Sequence, residues 1–130
     1  MLSSTAKGVL VLVLLLSLAG CANWQEFSKR VENPYPGDVA AVARGSALYS
    51  SKGCPVCHGE KGRGDGPEIA SLRIPPPDFT NRDRMITRGD PDLFWAIIRG
   101  RERAKMPAYR NELSENDVWD LVNYLRSLYQ

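Results

Sequence analysis

Residues 52–66 read KGCPVCHGEKGRGDG. Within five positions this stretch holds Cys54, Cys57 and His58, the one histidine of the chain, and a glycine-rich run follows. Two thiols and an imidazole at that spacing serve three chemistries: a redox dithiol, part of a zinc site, or the covalent attachment of haem. A redox C-x-x-C belongs in a βαβ setting, whereas this pair follows a helical stretch and has no strand pattern near it. A structural zinc wants four protein ligands. Here Cys54, Cys57 and His58 are what is at hand, and adjacent Cys57 and His58 do not readily converge on one ion. Haem attachment needs only what is present. Two thiols separated by two residues add across the vinyl groups of one porphyrin edge, and the histidine after the second thiol is set beneath the iron as an axial ligand. The stretch therefore predicts one covalent haem c on Cys54 and Cys57, with His58 on the iron.

The N-terminus bears on that reading, because thioether attachment takes place on the exported side of a membrane. Lys7 precedes a run of eleven apolar or small residues, Gly8 to Leu18. That is short for a hydrocarbon core of about 30 Å, which disfavours an uncleaved transmembrane anchor, and it fits the apolar region of an export signal. Leu18-Ala19-Gly20-Cys21 resembles the bacterial lipobox, in which small residues precede a cysteine that takes a diacylglycerol thioether and becomes the mature N-terminus. A plain secretory peptidase site is the competing reading. Residues 1–20 are expected to be removed and Cys21 to be lipidated, and two or three acyl chains, each CH₂ contributing roughly 0.8 kcal/mol, anchor stably where one does not. The expected location is a cell or outer membrane, with the domain facing the periplasm or extracytoplasmic space. Residues 21–37, polar and broken by Pro34 and Pro36, read as the lipidated terminus and a flexible tether. Its sixteen residues after Cys21 span at most about 55 Å. The three cysteines are then all assigned, one to lipid and two to haem.

The chain carries 17 Lys and Arg against 15 Asp and Glu. Loss of Lys7 brings it closer to balance, which argues against a nucleic-acid partner. Arg82, Arg84, Arg88, Arg99, Arg101, Arg103 and Lys105 nevertheless crowd one quarter of the sequence, as a solvated face or as a docking or propionate-facing group. The folded domain is expected over residues 38–130, all-α, with three main helices and long loops. The first runs over about 39–52 with Asp38 as N-cap and Val42, Ser46 and Tyr49 on one face. Gly45 sits mid-helix at a cost of roughly 1 kcal/mol, which implies close approach of another backbone. The second takes Asp90 as N-cap and Pro91 at its first position, buries Leu93, Phe94, Ile97 and Ile98, and stops at Gly100. The third is capped by Ser114, with Asp117 in the capping-box position and Val118, Leu121, Val122 and Leu125 recurring along one face. So little core of its own implies a fold wrapped around something.

A second axial ligand cannot be histidine, since His58 is already used. Of three methionines, Met1 leaves with the signal and Met85, before the second helix, reads as core filler. Met106 lies in a loop between Lys105 and Pro107. The proline prevents a helix from running through and holds the preceding residue extended. Met106 is the predicted sixth ligand, and methionine ligation raises the potential.

From Asp38 onward the chain resembles the class I c-type cytochromes. The matching features are Gly45 and Tyr49, Cys54-Pro-Val-Cys57-His58-Gly59, Gly66-Pro67, Met106-Pro107, and Val122-Asn-Tyr124-Leu125. The resemblance implies that the first and last helices cross, with Gly45 and Tyr49 against Tyr124, and that the Pro67 carbonyl accepts a hydrogen bond from the His58 ring. Tyr49, Trp95 and Tyr109 also fit as core aromatics, and Pro75–Thr80 (PPPDFT) lines the haem edge or merely connects. The function implied is a membrane-anchored, His/Met-ligated monohaem electron carrier, shuttle or fixed subunit, serving redox proteins or a respiratory complex, with no catalytic residues and no small-molecule substrate. The alternative is a haem enzyme or gas sensor whose sixth ligand is labile or absent.

Overall fold

The computed structural model describes residues 31–130. The expected export signal, the expected lipidation of Cys21 and residues 22–30 of the expected tether lie outside the described residues. Among the described residues five α-helices follow in order: α1 Val39–Ser51, α2 Pro55–His58, α3 Arg82–Met85, α4 Asp90–Arg99 and α5 Glu115–Ser127. Short 3₁₀ turns occur at Pro67–Ser71 and Glu102–Ala104. Among the described residues the β structure is one isolated antiparallel bridge, Arg101 to Met106. The fold is all-α, and α1, α4 and α5 are the three long helices among the described residues.

α1 begins where Asp38 Oδ1 accepts the Ala41 N–H at 2.6 Å, satisfying one of the unpaired donors of the first turn. Its buried face is Ala41, Gly45 and Tyr49, while Val42 and Ser46 are half-buried. α5 is bounded by a capping box: Ser114 Oγ accepts the Asp117 N–H and Asp117 Oδ2 accepts the Ser114 N–H. Val118 and Val122 are fully buried along it, each contributing roughly 1.5–3 kcal/mol. Trp119 stacks on Phe94 of α4, ring centroids 4.4 Å apart. α1 and α5 meet through Gly45. A Cβ there would fall inside the Asp120 backbone carbonyl and lie 2.8 Å from Tyr124 Cβ, so only glycine admits the contact. Beside it Arg44 grips the buried Asp120 carboxylate with two bonds, of 2.6 and 2.8 Å.

Two features differ from the sequence expectation. α4 is capped by Gly89, whose N–H is accepted by Asp92, one residue earlier than the Asp90 cap expected. The Asp90 carboxylate is engaged elsewhere, by Arg126 Nε at 2.6 Å and Asn33 Nδ2 at 3.0 Å. Arg126 also donates to the carbonyls of Met85 and Arg88, so one side chain of α5 fastens α3, the loop after it and the start of α4. Residues 33–37, read as the end of the tether, are hydrogen-bonded to α5. Gly37 N–H and Asn33 Nδ2 donate to Asn123 Oδ1, and Tyr35 Oη donates to the Asn116 carbonyl. The compact unit accordingly starts at Asn33.

Candidate functional site

A cavity of about 730 Å³ opens between these helices and their loops, within the range of roughly 300–1,000 Å³ typical of cofactor clefts. Cys54, Cys57, His58 and Met106 all line it. Its walls are largely aliphatic and aromatic, with Leu93, Ile97, Leu121 and Leu125 from the long helices and Phe79 from the loop between α2 and α3.

The end of α1 sets the first three residues. Cys54 N–H is accepted by the Tyr49 carbonyl, and the single turn of α2 then carries the His58 N–H back to the Cys54 carbonyl at 2.9 Å. Pro55 fixes φ at the start of that turn, where its missing N–H costs nothing. Tyr49 is buried beneath it, donates its hydroxyl to the Gly59 carbonyl at 2.8 Å and tilts against Tyr124, ring centroids 5.2 Å apart. The chain after His58 folds back: Gly64 N–H bonds the His58 carbonyl and Gly66 N–H the Cys57 carbonyl. Cys54 and Cys57 are half-buried free thiols. Burial pushes the Cys54 thiol above its ordinary value.

Burial also pushes the His58 imidazole down to about 4, which keeps it neutral and able to donate a lone pair at ordinary pH. Its Nδ1 is buried without a hydrogen-bond partner. The bond implied from His58 to the Pro67 carbonyl is therefore not made. Pro67 is exposed at the start of a 3₁₀ turn. The imidazole instead lies nearly parallel to the Phe79 ring, centroids 4.9 Å apart and planes at 19°.

Met106 is placed by backbone pairing that the sequence did not disclose. Its N–H donates to the Arg101 carbonyl at 3.1 Å, and its carbonyl accepts the Arg101 N–H at 2.9 Å. Lys105, in the left-handed region at φ 55°, turns the chain immediately before it. Tyr109 ties the far side of the loop down, its N–H to the Ile97 carbonyl and its hydroxyl to the Lys52 carbonyl. Met85 is fully buried and does not line the cavity. Of the basic crowd, Arg84, Arg88, Arg101 and Lys105 reach the cavity, whereas Arg99 lies over the half-buried Trp95 ring at 4.0 Å.

Two thiols, a neutral imidazole with an unpartnered ring nitrogen and a thioether, gathered on one apolar cavity, fit a covalent haem. Sequence reasoning missed Phe79, Asp120, Asn123 and Arg126. Phe79 carried one signal, its place in a proline-rich segment that nothing else explained.

Comparison with known proteins bears on the same residues. A family model described as Cytochrome c matches residues 42–129. The chain is 25% identical over 114 residues to the Cbb3-type cytochrome c oxidase subunit FixP of Azorhizobium caulinodans, covering 88% of this chain and 36% of that protein's length. A chain of the Kuenenia stuttgartiensis reducing HAO-like protein complex superposes with a TM-score of 0.66 at 30% identity, covering 77% of this chain and 50% of that one.

Proposed function

The chain belongs to the cytochrome c family, and on that footing we propose that it carries single electrons from a membrane-tethered position, with His58 and Met106 as the axial ligands of its iron. Its haem c is covalent, and Cys54 and Cys57 fit the C-x-x-C-H attachment motif. The observation that carries the ligand assignment is that Met106 lines the same cavity as Cys54, Cys57 and His58 while Met85 is sealed in the core.

Bound haem supplies a one-electron Fe(III)/Fe(II) couple, whose potential is set by axial ligands, burial and hydrogen bonding. The chain's own residues do the rest. Cys54 and Cys57 would hold the porphyrin through thioethers, and burial keeps the His58 imidazole neutral. The Met106 thioether would hold the iron opposite His58, a ligand that favours the reduced iron and would leave no coordination site for a substrate. Leu93, Ile97, Leu121 and Leu125 give the cavity an apolar wall that a bound group would shield from water. Lys7, the apolar run after it and Cys21 support export and lipidation, which raise the effective concentration of the domain at membrane redox partners. The likeness to a subunit of a cbb3-type oxidase supports a respiratory complex as the partner.

Visible and near-infrared spectra of the oxidised and reduced protein, matured in a haem-attaching host, test the ligand set. A low-spin ferric spectrum with the weak near-infrared Met–iron band is expected, and Met106→Ala should lose that band. A high-spin five-coordinate spectrum in the parent, with peroxide or nitric oxide turnover, replaces the carrier with a haem enzyme or gas sensor. An unchanged Met106→Ala spectrum removes Met106 from the iron.

A further inference from the structure

We propose that Lys105 is a positioning residue for Met106, its ammonium clasping the Met106 loop to the Pro67–Ser71 turn. The proposal rests on the reading of Met106 as an axial ligand. Lys105 stands immediately before Met106 and, among the described residues, is the one residue other than glycine with a positive φ, at φ 55° and ψ 23°. A side chain makes that left-handed conformation costly, whereas glycine adopts it freely. The turn alone would be better served by glycine, which the chain places at positive φ at Gly37, Gly53 and Gly62. What lysine adds is reach. Its Nζ donates to the Ser71 carbonyl at 3.0 Å, a contact between residues 34 apart in sequence.

The two ends of this bond belong to different walls of the cavity. Lys105 and Met106 line it from one segment, and Leu72 and Ile74, which directly follow the Pro67–Ser71 turn, line it from another. The other ties of the Met106 loop run elsewhere. Arg101 pairs with Met106 within the loop, the Tyr109 N–H donates to the Ile97 carbonyl of α4, and the Tyr109 hydroxyl donates to the carbonyl of Lys52, the residue that ends α1. Among the described residues, the Lys105 bond is the one hydrogen bond that joins residues 101–113 to residues 67–77. The acceptor suits a cation. Ser71 is the last residue of a 3₁₀ turn, where carbonyls run out of partners within the helix, and a lysine ammonium satisfies such a carbonyl. The Ser71 hydroxyl is spent on the Glu68 carbonyl at 2.9 Å, which leaves the main-chain oxygen to Lys105. The clasp thus holds closed the loop that carries the thioether. Each opening of that loop would free a coordination position for a small anion or diatomic, so Lys105 favours a closed electron carrier over a haem that takes up ligands.

The test uses holoprotein. In the parent's ferrous proton NMR spectrum, strongly ring-current-shifted Met106 side-chain resonances establish that Met106 is on the iron; their absence defeats the ligand reading itself, separately from the role of Lys105. With Met106 bound, excess cyanide added to the ferric protein binds at the rate at which Met106 leaves, followed by stopped-flow absorbance. Lys105→Gly and Lys105→Leu should bind cyanide roughly two- to tenfold faster than the parent, the span that one net hydrogen bond covers. Lys105→Arg, which keeps a cationic donor and the same backbone cost, should return the rate to near the parent's. Thermal unfolding separates the clasp from the turn. Glycine relieves the left-handed backbone, so Lys105→Gly should unfold at a midpoint no lower than the parent's while releasing Met106 faster, a split that a lysine serving only the turn does not give. Cyanide rates in the Gly and Leu variants no faster than the parent's would leave Lys105 a turn residue with a solvated charge and overturn the proposal. If the variants do not mature, the ferrous parent decides. Nuclear Overhauser contacts between the Lys105 ε-methylene and Ser71 support the clasp, and their absence overturns it.

Discussion

Gly45 shows how a single missing carbon sets the contact between the first and last long helices. The cost of glycine in a helix, roughly 1 kcal/mol relative to alanine, would ordinarily make Gly45→Ala stabilising. The neighbours decide otherwise, because a Cβ would collide with the backbone of Asp120 and with Tyr124 Cβ, none of which is the free end of a flexible side chain. The helices would have to separate, disturbing the Arg44–Asp120 pair and the Tyr49–Tyr124 contact with them. Overpacking of this kind costs about 1–3 kcal/mol or more, so the net sign is destabilising. Thermal unfolding of Gly45→Ala holoprotein should show a midpoint lowered by roughly 5–15 °C, at about 4–8 °C per kcal/mol for a domain of this size. A midpoint equal to or above the parent's would mean that the helices do not touch at this glycine.

The starts of α1 and α5 were legible in the sequence because capping is local, whereas the cap of α4 fell on Gly89, one residue before the Asp90 expected. Asp38, Ser114 and Asp117 each act within three residues of where they stand. What was not legible is polar and long-range. Asp120 and Asn123 look like ordinary surface positions of an amphipathic helix, and both are buried because their partners, Arg44 and Asn33, come from distant parts of the chain. The same holds at the site. Cys54, Cys57 and His58 form one contiguous motif, whereas the Arg101–Met106 pairing that holds the Met106 loop and the Phe79 ring against His58 depend on how loops close in space. Local capping has a pH signature. The bonds from Ser114 hold the Asp117 carboxyl below its ordinary value of 3.8. A carboxyl depressed in the folded state binds its proton more readily in the unfolded chain. Its contribution is therefore fully present above the unfolded value and is lost as pH falls through the folded one. Ser114→Ala should cost about 1 kcal/mol at neutral pH. The stability gap between the parent and Asp117→Asn, followed by denaturant titration, should be widest at neutral pH and narrow below about pH 3.8; a gap that stays level into acid would detach Asp117 from the cap.

At the scale of the whole molecule, the apolar surfaces of α4 and α5 face two ways, toward each other and toward the cavity. Leu93, Ile97, Leu121 and Leu125 count as core, yet they also line a space of about 730 Å³. Unfilled apolar volume costs about 24 cal/mol per Å³. The cleft is open to water, so that figure is not summed over it; what counts is that four core leucine and isoleucine side chains also present apolar surface there, in a domain stable by only about 5–15 kcal/mol. The prosthetic group is thus the missing centre of the core, and the chain around it is too small to replace it. The expectation is that a Cys54→Ser/Cys57→Ser chain prepared without haem keeps part of its helical far-UV signal, loses its near-UV signal, binds a hydrophobic dye and unfolds without a cooperative transition. α1 and α5 still have the Gly45 contact and the Arg44–Asp120 pair to bring them together, so the helical signal should survive best there, with slower amide exchange along their shared face than in α4. A sharp calorimetric transition in the haem-free chain, near the temperature of the holoprotein, would show that the helices close the cavity among themselves and that haem occupies a core already complete without it.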